Sequence, residues 1–304
     1  IYKYFGPDLI LEDISFSIFS GDITGFLGPN GAGKSTTLRI LCGLLYPESG
    51  EYFFRKEKVF SDLGLIKNRI GYLPETPPLY NYLRVKENLD FFYRMKGCTG
   101  NKQRDLSRVI EVCGLGDVLN KLTATLSKGF RQRLGLAIAI LGSPELIILD
   151  EPTVGLDPVQ IKETRNLIRN LSDNATVILS SHILGEVAEL CNRVLIINKG
   201  RILAQDTTEV LKNITGRDFY KVTVSGSREL FLEKLHRIES IREVNMSEET
   251  QERFSVKLYS TGGVDLRKEL VKIFSEGDEF NLLELSKAEP SLEEIFMNIL
   301  EKKE

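Results

Sequence analysis

Gly28-Pro29-Asn30-Gly31-Ala32-Gly33-Lys34-Ser35-Thr36 decides the fold of this chain. The stretch fits the pattern GxxxxGK(S/T) at every fixed position. Its glycines let backbone N–H groups turn inward around phosphate oxygens, and a helix start behind them adds partial positive charge. Lys34 places a cation at the β- and γ-phosphates of a nucleotide, and the Ser35 hydroxyl is a magnesium ligand. The apolar run Ile23–Leu27 before the loop reads as a strand. Leu38, Leu41, Leu44 and Leu45 after it read as a helix over Ser35–Leu45, stopped by Pro47.

Downstream, Leu146-Ile147-Ile148-Leu149-Asp150-Glu151 is an apolar strand ending in two acids. Asp150 at a strand end can hold magnesium, and Glu151 beside it can take a proton from an attacking water. Around these two strands the pattern alternates. Ile14-Ser15-Phe16-Ser17-Ile18 reads as a strand, and residues 50–73 as short strands ending in Ile70–Leu73. Residues 82–142 read as a helical insertion with segments near 85–95, 103–113 and 128–141. A helix at 158–171, a buried strand Ala175–Ser180, a helix at 183–191 and a hairpin Val194–Asn198/Arg201–Ala204 follow. Strands separated by helices predict an α/β fold, a P-loop NTPase core whose parallel sheet is covered on both faces.

From about residue 218 the order becomes β-α-β-β-α-β plus a last helix over Leu292–Leu300, which predicts a small α+β, ferredoxin-like domain. The expected division is 1–215 and 218–304, with a linker near 205–218 and Thr215-Gly216 as its boundary.

Composition sets limits on function. The chain has 304 residues, enough for two domains, and is 42% hydrophobic and 27% charged, so a packed core is expected. Net charge is -3 with Lys and Arg spread along the chain, which gives nucleic-acid binding no support. The four cysteines, Cys42, Cys98, Cys113 and Cys191, show no CxxC spacing and read as reduced packing residues of a cytosolic protein. No secretory signal precedes the first motif. The longest apolar stretch, Leu134–Leu149, is broken at Gly142-Ser143-Pro144-Glu145, short of the roughly 18 residues a membrane span needs. The sequence opens at Ile1 inside a strand-like stretch, so further N-terminal residues are expected.

Other motifs resemble those of the ATP-binding subunit of an ABC transporter. Leu126-Ser127-Lys128-Gly129-Phe130-Arg131-Gln132-Arg133 is similar to that family's signature and lies 23 residues before Asp150. Pro152-Thr153-Val154-Gly155-Leu156-Asp157-Pro158 resembles the D-loop stretch, Ser181-His182 the switch histidine, and Gly71-Tyr72-Leu73-Pro74-Glu75 the Q-loop. Phe5-Gly6 matches the position of the aromatic that stacks on adenine, with Tyr4 as the rival. The resemblance covers about residues 1–215, with all motifs in order.

The resemblance implies ATP and Mg2+ as ligands, with Ser35, Glu75 and Asp150 around the metal. It implies Glu151 as general base and His182 as the group holding γ-phosphate and water. It also implies a head-to-tail homodimer or paired ABC ATPase, in which Ser127, Lys128, Gly129 and Phe130 reach the partner's nucleotide and Asp157 orients across the interface. Ser127 and Asp157 also suit plain helix caps. Two motifs depart from the family pattern. Glu75 stands where Gln is common, and Lys128 and Phe130 replace Gly and Gln. Glu289-Pro290-Ser291-Leu292-Glu293-Glu294-Ile295-Phe296 resembles the tail of the drug, antibiotic and sodium exporter branch; physically it is a capping start ahead of the apolar stripe Ile295, Phe296, Ile299 and Leu300. That branch pairs one ATPase domain per chain with a separate integral membrane permease, expected here near residues 75–95. It places the chain peripherally on the cytoplasmic face of the cell membrane. The alternative is a soluble ABC ATPase acting on nucleic acid or ribosomes; such chains carry two ATPase halves or a long coiled coil, and this chain has one phosphate loop, a short insertion and no basic tract.

Overall fold

The computed structural model describes residues 1–59, 66, 68–215, 219–249, 253–261, 264–275, 280–288 and 292–301. The backbone divides into two compact units, Ile1–Thr208 and the residues from Glu209 onward.

The first unit opens with the hairpin of β1 (Lys3–Phe5) and β2 (Asp8–Leu11). β3 (Ile23–Leu27) leads through the glycine loop into α1 (Lys34–Leu41). A small hairpin of β4 (Phe53–Phe54) and β5 (Glu57–Lys58) precedes β6 (Ile70–Leu73). The helical insertion holds α2 (Val85–Met95), α3 (Lys102–Val112) and α4 (Lys128–Ala139). Then come β7 (Leu146–Asp150), α5 (Pro158–Ser172), β8 (Thr176–Ser181), α6 (Leu184–Leu190) and the hairpin of β9 (Arg193–Asn198) and β10 (Arg201–Thr207).

Six of these strands form one sheet in the order β10-β9-β3-β8-β7-β6. All neighbours are parallel except the β9/β10 hairpin. Every residue of β3 and β7 is buried, as apolar runs covered on both faces must be. One side of the core packs Leu11, Ile14, Phe26, Leu38, Ile40, Ile148, Ile178, Leu195 and Ile197 together. Register brings Leu27 opposite Ser181, Asp150 opposite Ser180, and Leu73 opposite Leu149. The loops after β3, β6, β7 and β8 therefore leave from one edge, the carboxyl end of the sheet, where ligands sit in open α/β folds.

Several elements differ from expectation. Residues 14–18 join no ladder; the Gln205 side chain instead bonds the Ser17 main chain, accepting its N–H at 3.4 Å and donating to its carbonyl. α1 stops at Leu41, short of Leu45, because Gly43 takes a left-handed φ of 69° and closes a Schellman turn. In it Gly43 N–H meets Ile40 O at 3.0 Å and Leu44 N–H meets Arg39 O at 2.9 Å. Residues 60–65 and 67, within the stretch read as short strands, lie outside the described residues.

In the stretch read as a linker, α7 (Thr208–Thr215) is an amphipathic helix with Leu211 buried. Gly216 lies outside the described residues. The second unit continues with β11 (Phe219–Gly226), α8 (Arg228–His236), β12 (Ile241–Glu249), β13 (Arg253–Ser260), α9 (Arg267–Ser275), β14 (Phe280–Ala288) and α10 (Leu292–Glu301). Its antiparallel sheet runs β12-β13-β11-β14, the ferredoxin-like order expected for this succession. Phe231 and Leu235 of α8 and Leu270 of α9 pack on Val222, Val224, Val256 and Leu258. Glu289, Pro290 and Ser291 lie outside the described residues, as does the Leu300 side chain, whereas Ile295, Phe296 and Ile299 of α10 are buried.

Candidate nucleotide-hydrolysing site

The phosphate loop needs its glycines. Gly31 and Gly33 adopt φ of 78° and 105°, a region costly for L-residues. A Cβ on Gly33 would come within 2.5 Å of Leu11 Cδ2, and one on Gly28 within 2.3 Å of the Ile197 carbonyl oxygen. Lys34 leads α1 and folds back across the loop, its Nζ donating to Gly28 O at 2.7 Å and Pro29 O at 3.2 Å. It is 6% exposed and lies 3.7 Å from Glu151 Oε1.

At the ends of β7 and β8 the side chains interlock. Ser35 Oγ donates to Asp150 Oδ1 at 3.0 Å. Ser180 Oγ donates to the same oxygen at 2.6 Å and accepts the Glu151 N–H at 2.9 Å. Ser180 and Asp150 are both buried. Glu151 holds a left-handed φ of 48°, strain on the order of 1–2 kcal/mol for a residue with a Cβ. The bond from its N–H to Ser180 helps hold that conformation. His182 Nδ1 lies 2.9 Å from Glu151 Oε2. A cation, a carboxyl group and an imidazole are thus gathered beside a loop built for phosphate. Behind Asp150, burial and then the Asp150 charge push the Tyr72 phenol up to about 12.

A cleft of about 570 Å³ opens over these groups. Phe5, Asn30, Gly31, Ala32, Gly33, Lys34, Ser35, Thr36, Glu75, Glu151 and His182 line it, together with Ile10 and Val154. Phe5 lines it and Tyr4 does not. Gly28 and Pro29 contribute carbonyls to Lys34 instead of lining, and Asp150 lies beneath Ser35. Ser127, Lys128, Gly129, Phe130 and Asp157 are not among the residues that line it. They occupy two adjoining helix starts. Ser127 caps α4, accepting Phe130 N–H at 3.4 Å, and Asp157 caps α5, accepting Gln160 N–H at 2.9 Å. Gly129 faces the Gln160 side chain closely enough that a Cβ would fall 2.7 Å from it, and Lys128 lies over Gly155.

Among the described residues, no three His, Cys, Asp or Glu side chains gather as a metal cage. A magnesium ion bound chiefly through nucleotide phosphates needs few protein oxygens. The Ser35 hydroxyl and the Asp150 carboxyl group, 3.0 Å apart, fit that limited role, with Glu75 lining the same cleft. Sequence reading missed Ser180, Ile10 and Val154. The sequence pattern makes Ser180 the last residue of a buried strand, and only its register against Asp150 gives it a role.

A phosphate loop on a parallel sheet, with acids and a histidine on the neighbouring strand ends, defines a P-loop ATPase. The chain belongs to the ABC transporter family of ATP-binding proteins. The family's sequence pattern, described as ABC transporter, matches residues 11–154. The chain is 36% identical to the bacitracin transport ATP-binding protein of Bacillus licheniformis, over 98% of this chain and 94% of that one. It is 33% identical to the linearmycin resistance ATP-binding protein of Bacillus subtilis, over 98% of this chain and 96% of that one. Among solved structures it resembles an ATP-binding subunit of an ABC transporter, with a TM-score of 0.63 and 29% identity, covering 70% of this chain and 89% of the other. It also resembles a dimeric bacterial ABC transporter cassette, with a TM-score of 0.62 and 25% identity, covering 68% and 96%. The protein is an ABC-type ATPase that binds and hydrolyses ATP. Among the described residues, no helix is long and apolar enough to cross a membrane.

Proposed function

We propose that the chain powers export through a separate membrane permease, working as one of two ATPase subunits that close over two ATP–magnesium units. The observation that carries this reading is the Glu151–His182 contact of 2.9 Å beside Lys34 and the phosphate loop. Two relatives matched along nearly the whole chain are named for bacitracin transport and linearmycin resistance, which supports an exporter of the antibiotic class.

In this reading Phe5 stacks on adenine and the loop N–H groups of 28–36 cradle the phosphates. Lys34 moves its ammonium from the Gly28 and Pro29 carbonyls to the β/γ-phosphate oxygens. Ser35, Asp150 and Glu75 hold Mg2+, which when bound neutralises charge on those phosphates. Glu151 takes the proton of the in-line water, and His182 holds that water and the γ-phosphate. Ser127 and Gly129, at the start of α4, meet the γ-phosphate on the partner subunit, and Asp157 orients across the interface. Their absence from the lining of this chain's own cleft suits such a role. Closure moves the permease and hydrolysis resets it.

The permease docks near residues 75–95 in this account. Tyr82 there is 74% exposed and Met95 55%, and the rings of Tyr80 and Phe91 meet edge to face at 4.8 Å. The protein then sits peripherally at the cytoplasmic face of the cell membrane. The second unit is an accessory domain.

Mass measurement of Glu151→Gln with ATP and magnesium tests the paired site. A species of twice the 34.4 kDa chain mass is expected, and Ser127→Arg added to it should return the single-chain mass. A variant that stays at the single-chain mass across all ATP concentrations would contradict the pairing.

A further inference from the structure

Glu186 lies on α6 outside the nucleotide cleft, yet its carboxyl group touches both loops that carry the Glu151–His182 pair. It is 4% exposed. Its Oε2 accepts the Thr153 hydroxyl at 2.6 Å and the Ser181 hydroxyl at 3.4 Å. Its Oε1 lies 3.7 Å from Arg165 Nη2 of α5. Burying a carboxyl group this deeply is costly unless hydrogen bonds and a cation compensate it, and removing one partner exposes that cost.

Thr153 follows Glu151 by two residues, in a turn closed by Val154 N–H on Glu151 O at 3.2 Å. Ser181 immediately precedes His182, and its Oγ accepts the Ile183 N–H at 3.0 Å, which fixes the backbone on either side of the histidine. One buried side chain therefore ties the turn after the base to the turn around the histidine.

We propose that Glu186 is a positioning residue for hydrolysis: through Thr153 and Ser181 it sets the separation of Glu151 and His182. The proposal rests on reading those two residues as the hydrolytic pair. Misplacing reacting groups by a fraction of an ångström costs rate more than substrate binding. The phosphate loop and Phe5, which supply most of the nucleotide contacts in this reading, make none of these contacts, so the loss should fall on kcat and leave ATP affinity nearly unchanged.

The test uses four variants of the full chain, read by steady-state phosphate release and by nucleotide binding. Thr153→Val removes only the hydroxyl at nearly constant shape, and Thr153→Ser restores it. Glu186→Gln keeps the shape and removes the charge. Thr153→Val and Glu186→Gln are each expected to lower kcat by about 5- to 20-fold with KM for ATP unchanged, in line with the loss of one positioning hydrogen bond. Thr153→Ser should restore at least half of the wild-type kcat. The double variant Thr153→Val/Glu186→Gln should fall well short of the product of the single losses, because both weaken the same Thr153–Glu186 bond. Wild-type kcat in Thr153→Val overturns the proposal, as does a double variant whose losses multiply, or a KM that rises as kcat falls. Glu151→Gln measured alongside reports separately on the pair itself: undiminished turnover there would remove the hydrolytic reading, whatever the Thr153 variants do.

Discussion

Ser180 and Asp150 sit opposite each other in the parallel β7/β8 register, and the Ser180 hydroxyl bonds Asp150 Oδ1 at 2.6 Å. The same hydroxyl accepts the N–H of Glu151 at 2.9 Å. A single buried oxygen thus holds the acid beneath the phosphate loop and the strained residue next to it. Ser180→Ala would leave the Glu151 N–H without that partner, at about 1–3 kcal/mol for a buried polar group. The melting temperature should fall, and kcat should fall by at least about 10-fold as Glu151 loosens. Thermal unfolding and phosphate release on the same preparation check both effects.

The glycine loop gives a second prediction. Gly33→Ala places a Cβ on a residue at φ 105° and within 2.5 Å of Leu11 Cδ2. Strain and collision together should cost about 2–4 kcal/mol of stability. Lys34→Ala creates neither problem, and its effect should appear in binding. Loss of one charge-assisted contact to phosphate weakens ATP binding by about 10- to 100-fold. Calorimetric titration with ATP, paired with thermal unfolding, separates the two variants.

The insertion carries a pH-dependent element of its own. Lys96 donates to Ile138 O, Ala139 O and Leu141 O at 3.2, 2.9 and 3.0 Å, closing the carboxyl end of α4. Burial pushes its ammonium down to about 8, against a smaller upward pull from Cys98 and Asp105. Between that value and the ordinary lysine range the unfolded chain binds the proton more tightly than the folded one. Stability from this group therefore rises with pH across that window. The melting-temperature difference between wild type and Lys96→Met should move in favour of wild type from pH 8 to pH 10. A difference that stays flat would contradict it.

Much of the site was legible in the sequence because its parts are local. The phosphate loop is one contiguous stretch, and Asp150-Glu151 and Ser181-His182 end apolar runs that burial on both faces demands. Their convergence follows once β3, β7 and β8 are parallel neighbours. What escaped depends on distant pairing. Nothing local to Ser180, Thr153 or Glu186 shows that the fold will bring their hydroxyl and carboxyl groups behind Glu151 and His182, the pair proposed to hydrolyse ATP. Alternation in Ile14–Ile18 gives the period of a strand, but the structure bonds its main chain to the Gln205 side chain. Thr208–Thr215 carries a short apolar stripe that is easily read as linker, and it forms a helix.

Hydrolysis by Glu151 is the central claim, and phosphate release by Glu151→Gln tests it most directly. Glutamine keeps the size and the contact with His182 but cannot take the proton of the attacking water. The variant should bind ATP as wild type does and release phosphate at least about 100-fold more slowly, the least that loss of a general base costs. Phosphate release at the wild-type rate would contradict the account.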